Sequence, residues 1–381
     1  MRKNYLLTPG PTPIPPQVAE AQARPIIHHR TPQFQAVLKE VNEGLEFIFQ
    51  TTGDVFILTS SGTGAMEAAV VNLLSPGDSA ICVEGGKFGE RWIELCSAYG
   101  ITPEVIKVEW GKAVDPQEIR SKLQAPSSKL KPKAVFTTLC ETSTGVATDI
   151  EAIGKIVKET DAVLVVDAIS GLGAVDLKTD AWGVDVCVSG SQKGLMLPPG
   201  LAFISTSIKA WEKINAAKCP KYYFDLKAAK KALDSTDTPF TPAITLVIAL
   251  SEALKMMRQD GLENIFKRHK LMADATRAAM IALGLELFAP TAGSDVVTAV
   301  KAPAGIDGEK LVKTMRDTYG VTIAGGQAEL KGKVFRIAHM GFIEEFDIIV
   351  GISCLEKVLR QMGYKFELGA GLKAAQEIFL R

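Results

Sequence analysis

The chain has 381 residues, 47 % of them hydrophobic, enough to bury a sizeable core and long enough for one large domain with a smaller companion. Its 43 Lys and Arg residues balance 43 Asp and Glu residues, so no net charge marks it for nucleic acid or a membrane surface. Six scattered cysteines without a Cys-x-x-Cys pair fit reduced thiols in a cytosol better than a disulfide scaffold or a metal centre. The start of the chain lacks the apolar stretch of a signal peptide, no apolar run reaches membrane length, and the expected location is cytoplasmic.

Residues 1–18 hold too many prolines for a helix or a central strand and read as an extended arm, with a turn at Thr8-Pro9-Gly10-Pro11-Thr12. His28 and His29 read as loop residues. Residues 33–50 put Phe34, Val37, Leu38, Val41, Leu45, Ile48 and Phe49 on one helical face, which marks core packing. A strand at 55–58 then runs through Ser60, Ser61, Gly62, Thr63 and Gly64 into a helix over 65–74. Such a turn offers free N–H groups and the positive end of a helix dipole, which suits a phosphate. No Gly-Lys-Ser/Thr follows, so it is not a nucleotide P-loop.

Strands at 79–83, 105–108 and 134–138, with helices after residue 85 and over 116–123, continue the alternation expected of a mostly parallel sheet. Phe88 and Trp92 open the first of those helices. Glu141-Thr142-Ser143-Thr144-Gly145 precedes a helix over 150–160. Two apolar, β-branched runs, 162–166 and 184–188, read as strands buried on both faces. Asp167 ends the first, and the second leads through Ser189-Gly190-Ser191-Gln192 to Lys193, then the turn Pro198-Pro199-Gly200. Ligands of open α/β sheets bind beyond the carboxyl ends of the strands, so an acid and an amine are expected to share one crevice. That pair meets the needs of pyridoxal phosphate, which a lysine holds as a Schiff base while a carboxylate keeps its ring nitrogen protonated.

After a strand at 201–204, the polar span 218–237, with five lysines, reads as a solvated surface or a mobile connection. Thr238-Pro239-Phe240-Thr241-Pro242 precedes a helix over 244–258, and a helix over 262–283 bridges into the smaller domain. There, strands at 296–300 and 333–337 frame a helix over 308–319, Gly325-Gly326 forms a loop near the crevice, and helices over 347–362 and 374–379 close the chain. Arg336 is flanked by apolar residues; a guanidinium in that setting needs a partner, and its planar fork matches a carboxylate. His339 and Met340 read as loop.

The Asp167, Ser189-to-Lys193 and Pro198-Pro199-Gly200 pattern, together with Ser61-Gly62-Thr63-Gly64-Ala65-Met66-Glu67, resembles the class V, fold-type I aminotransferases. The alanine–glyoxylate and serine–pyruvate group is the nearest match, over residues 6 to about 362. The resemblance implies an α/β fold in which a large domain, residues 19–260, carries a mostly parallel seven-stranded sheet, and residues 261–381 form a smaller α+β domain. It implies that Lys193 and Asp167 are catalytic and that Ser61, Gly62, Thr63, Ile169 and Gln192 bind the cofactor. Phe88 would stack on its ring, and the Thr142 hydroxyl would reach its ring oxygen. Thr241 matches a residue that enters the neighbouring subunit's phosphate site in a homodimer, whereas Thr238 stands where close relatives carry tyrosine, leaving that second contact unassigned. Arg336 matches the residue that binds the substrate carboxylate, and the backbone of Pro9 and Gly10 would approach the substrate. The implied reaction moves an amino group from alanine or serine to glyoxylate or pyruvate, with no metal. The alternatives are a family member using aspartate or another donor, a lyase or cysteine desulfurase on the same fold, and a non-catalytic subunit of an assembly.

Overall fold

A computed structural model describes residues 3–125 and 131–381; Met1 and Arg2 of the expected arm lie outside it. Seven strands form the main sheet, in the order Asp54–Thr59, Leu201–Thr206, Val186–Gly190, Val163–Asp167, Ala134–Thr138, Ser79–Glu84 and Thr102–Lys107. Leu201–Thr206 runs antiparallel to both neighbours, and the other pairings are parallel. The central strands are buried along their whole length, which explains their continuous apolar runs, because helices cover both faces. One core packs Pro32–Phe49 and Ile244–Asp260 on one face, and another packs Gly62–Leu73 and Lys87–Ala98 on the other. Trp92 belongs to the second: fully buried, it stacks on Phe136 at 4.6 Å between ring centroids.

A second sheet is antiparallel, with Val334–Ala338 between Val297–Lys301 and Ala324–Gly325. It has its own core, built with Leu262–Ala282, Glu345–Gln361 and Ala370–Phe379. The amino-terminal arm is tied to this unit. Tyr5–Leu6 pairs in parallel with Val321–Thr322, Leu7 is fully buried, and its carbonyl accepts the Ala338 N–H at 2.9 Å.

Three local expectations change. The proline-rich arm gives way to a helix, Pro16–Gln22, two residues before its expected end; a proline at the first helical position loses no hydrogen bond, since that N–H has no partner in a helix. The lysine-rich span 218–237 contains the helix Leu226–Leu233, capped by the Asp225 carboxylate and buried through Leu226 and Ala229, so the lysines are one face of an amphipathic element. The helix expected over 308–319 turns into a π-helical turn at Met315–Tyr319.

Candidate active site

Segments at the carboxyl ends of five strands of the main sheet build the site. Asp167 ends its strand fully enclosed, and its Oδ1 accepts the Ile169 N–H at 2.9 Å. Burial pushes its carboxyl up to about 7, opposed by that backbone donor. Lys193 follows the adjacent strand, and burial pulls its amine down to about 8 against the attraction of Asp167. Each group is moved toward its neutral form, and a cation brought to the second oxygen of Asp167 would restore the carboxylate. The Lys193 ammonium donates to the Pro9 carbonyl, so the arm forms a wall of the site. A Cβ at Gly10, whose φ is +136°, would lie 2.5 Å from Lys193 Nζ; no side chain fits there.

Ser61, Gly62, Thr63, Phe88, Asp167, Ile169, Gln192 and Lys193 line one cleft of about 460 Å³, which brings together eight of the residues singled out from the sequence. Arg91, Cys140 and Ser170 complete the lining and were not anticipated. Arg91 had a sequence signal, because it lies three positions after Phe88 on the same helix and therefore on the same face. Its guanidinium sits 5.1 Å from the Phe88 ring centroid. Ser61 precedes the first turn of Gly62–Leu73, but its side chain does not cap that helix, so hydroxyl and first-turn N–H groups remain available to a ligand. Gly62 lets Ile169 pack close to the helix start: a Cβ there would lie 2.5 Å from Ile169 Cδ1, and that side chain would have to shift.

Arg336, 4 % exposed, lies in the centre of the second sheet. Its Nε and Nη2 donate to the Gly325 carbonyl at 2.9 and 2.7 Å, and Nη1 donates to the Thr142 carbonyl at 2.7 Å. A guanidinium has five N–H donors, so one remains on each terminal nitrogen, the pair a carboxylate binds. Burial lowers its pKa to about 10, with Glu141 acting in the opposite direction. Glu141 is itself buried and raised by desolvation; it accepts the N–H groups of Phe88, Gly89 and Ser143 and so fixes the start of the helix that carries Phe88 and Arg91. Neither Thr142 nor Arg336 is part of the cleft lining itself: the Thr142 carbonyl holds Arg336, whose charge is felt at Lys193.

Thr241 is exposed and lines a different pocket with Thr59, Thr238 and Phe240, so a single chain does not bring it to the cleft. Thr238 Oγ1 donates to the Phe240 carbonyl at 2.8 Å. His339 lies just past the strand Val334–Ala338, in the loop expected for it, and is wholly buried. His28 and His29 stack on each other, His28 exposed, away from the cleft lining. Among the described residues no group of three or more His, Cys, Asp or Glu is placed to hold a metal ion, and no helix is long and apolar enough to cross a membrane.

The buried lysine beside a buried carboxylate, the aromatic face of Phe88, the open helix start and the Gln192 Oε1, buried without a protein partner, fit pyridoxal phosphate. They define a fold-type I enzyme of that cofactor. The family model "Aminotransferase class-V" matches residues 4–340. Over 380 residues, covering 99 % of each chain, the sequence is 47 % identical to a protein of Anabaena cylindrica named "Soluble hydrogenase 42 kDa subunit". It is 37 % identical to an L-aspartate–glyoxylate aminotransferase of Paracoccus denitrificans, covering 98 % of this chain and 96 % of that one. It is 38 % identical to a serine–glyoxylate aminotransferase of Hyphomicrobium methylovorum, covering 98 % and 94 %. A solved alanine–glyoxylate aminotransferase from Nostoc sp. superposes with a TM-score of 0.90 at 31 % identity, covering 94 % and 96 %. The chain belongs to the class V aminotransferases and is a pyridoxal-phosphate-dependent transaminase.

Proposed function

We propose that the enzyme moves the amino group of a small neutral amino acid, alanine or serine, to glyoxylate or pyruvate. The observation that carries this is Arg336, a buried guanidinium with two spare donors, held by the Thr142 carbonyl one residue from Glu141. Donor and acceptor share an α-carboxylate and occupy the site in turn, so one arginine serves both. Pyridoxal phosphate, when bound, supplies the electron sink that stabilises negative charge at the substrate's α-carbon. Ser61, Thr63, the N–H groups of Gly62 and Thr63, and Gln192 would hold its phosphate, Phe88 its ring face, and Asp167 the proton on its ring nitrogen. Lys193 Nζ, with its affinity for protons reduced by burial, would accept and release the proton of the substrate's α-carbon, and the Pro9 carbonyl would hold that amine in place. Ile169 and the Gly10 backbone shape the walls.

The catalytic unit is a cytoplasmic homodimer with shared sites, in which Thr241 reaches the partner's phosphate, and the boundary between large and small domains falls at 260/261. Exposed Thr241, beside the aromatic cluster of Tyr222, Tyr223 and Phe240, supports that arrangement. A cysteine desulfurase needs a reachable nucleophilic thiol; all six cysteines are buried, burial pushes the thiol of Cys140 in the cleft lining up to about 12, and Cys354 lies within the helix Glu345–Gln361 with its thiol raised to about 11.

A second reading is favoured by Arg91. A cation lining the cleft could take the side-chain carboxylate of aspartate, the donor named for the Paracoccus relative. Single-turnover absorbance changes with alanine, serine, aspartate and glyoxylate separate the two. Aspartate reacting faster than alanine and serine would replace the first reading with the second, and borohydride labelling away from Lys193 would overturn both.

A further inference from the structure

His269 lies in the middle of the helix Leu262–Ala282, wholly buried and outside the cleft lining. Its Nδ1 is 3.0 Å from the Ala174 carbonyl, and its Nε2 is 3.0 Å from the Gly341 N. A carbonyl can only accept and a backbone N–H can only donate, so the ring is the neutral tautomer with its proton on Nδ1. Both nitrogens are used, one on each of two segments that are distant in sequence.

Those two segments enclose the backbone of Lys193. A Cβ on Gly194 would lie 2.4 Å from the Leu172 carbonyl oxygen and 3.3 Å from Ala174 N, so the 172–174 turn abuts the residue after the lysine. On the other side, a Cβ on Gly341, φ +80°, would lie 3.1 Å from the Lys193 carbonyl oxygen and 3.0 Å from Thr12 Oγ1. Thr12 Oγ1 also donates to that carbonyl at 3.0 Å, and Thr12 N donates to the Gln192 carbonyl at 3.2 Å. Gly341 follows the strand that carries Arg336, and the 172–174 turn follows the strand that ends at Asp167.

We propose that His269 is a positioning residue, a strut that sets the separation of the Gly341 and Ala174 segments and through it the placement of Lys193 relative to Asp167. His339 has a different duty: its Nδ1 is 2.8 Å from the Asp295 carbonyl and its Nε2 2.9 Å from Thr298 Oγ1, both beside the neighbouring strand Val297–Lys301. Burial lowers the pKa of His269 to about 4, with Arg268 acting in the same direction, so the neutral strut persists at neutral pH. The proposal rests on Lys193 being the reactive amine; if that were wrong, the wild-type holoenzyme would itself lack the visible band used below.

The test compares the holoenzymes of His269→Asn and His269→Gln. Asn keeps a donor near the Nδ1 position and loses the acceptor for Gly341, whereas Gln reaches toward Gly341 and loses the donor to Ala174. Each should lower kcat about tenfold with KM for both substrates within threefold, and each should shift the pH midpoint of the visible absorption band. Hydrogen exchange at the Gly341 amide should accelerate in His269→Asn and not in His269→Gln. Reduced thermal stability with kcat and band midpoint unchanged would overturn the proposal, as would a rise in KM at constant kcat, which would assign the strut to Arg336. Thr12→Val, close to isosteric and acting on the same Lys193 carbonyl, should give the same signature. Its failure to do so would overturn the proposal even where neither His269 variant folds.

Discussion

Replacing Arg336 with alanine probes the substrate site most directly. The side chain is 4 % exposed and spends three of its five N–H donors on the carbonyls of Gly325 and Thr142. The variant would leave the substrate carboxylate without a buried charged partner, a loss of about 2 to 5 kcal/mol, or roughly 30-fold to several-thousand-fold in kcat/KM. Lysine in its place keeps the charge but cannot bridge both carbonyls and still offer a fork, so its loss should be nearly as large. The assay is each half-reaction in turn, donor with the aldehyde form of the cofactor and keto acid with the amine form, followed by absorbance. Both kcat/KM values should fall by similar factors, because the two carboxylates use the same nitrogens, while cofactor absorbance is retained. A change confined to the donor, or loss of cofactor binding in parallel with activity, would refute the reasoning.

Gly10→Ala should lower kcat at least tenfold with the cofactor still bound, because its Cβ would intrude on Lys193 and its φ of +136° is unfavourable for alanine; unchanged single-turnover rates would remove the arm from the site. Mixing Lys193→Ala chains with Thr241→Ala chains should restore part of the activity, since a hybrid dimer has one site free of both defects; full activity of a monomer by light scattering would exclude a shared site. Acid should destabilise the fold through His339 and His269, whose pKa values burial depresses to about 3 and about 4. Their contribution is complete above the unfolded value near 6.5 and is lost as pH falls toward the folded values, about 2 kcal/mol each between pH 7 and 5. Asp167, raised by burial, opposes this trend in the cofactor-free protein. Chemical denaturation of wild type and His339→Gln at both pH values isolates the term: the variant should show the shallower slope, and parallel slopes would contradict it.

Much of this molecule is written locally. Strands such as Val163–Asp167 are buried on both faces, so their apolar runs stand out in one dimension, and the residue that ends each strand is set at the crevice by the fold class. Asp167, Lys193 and the start of Gly62–Leu73 were legible for that reason, and Arg336 because a guanidinium amid apolar neighbours demands a partner. The helix Leu226–Leu233 was hidden by its lysines, since a short amphipathic element exposes more charge than it buries. What tertiary structure alone decided are contacts between residues far apart in the chain: the Lys193 amine on the Pro9 carbonyl 184 residues away, Arg336 on Thr142 across 194, and His269 between Ala174 and Gly341. Two of these three contacts end on backbone carbonyls alone, and His269 ties a carbonyl to a backbone N–H. Every residue but proline offers both groups, so the sequence holds no sign of which ones will be used. Side-chain chemistry and periodicity can be read from the chain; the choice among otherwise identical backbone groups is made only when the two sheets and the arm close on one another.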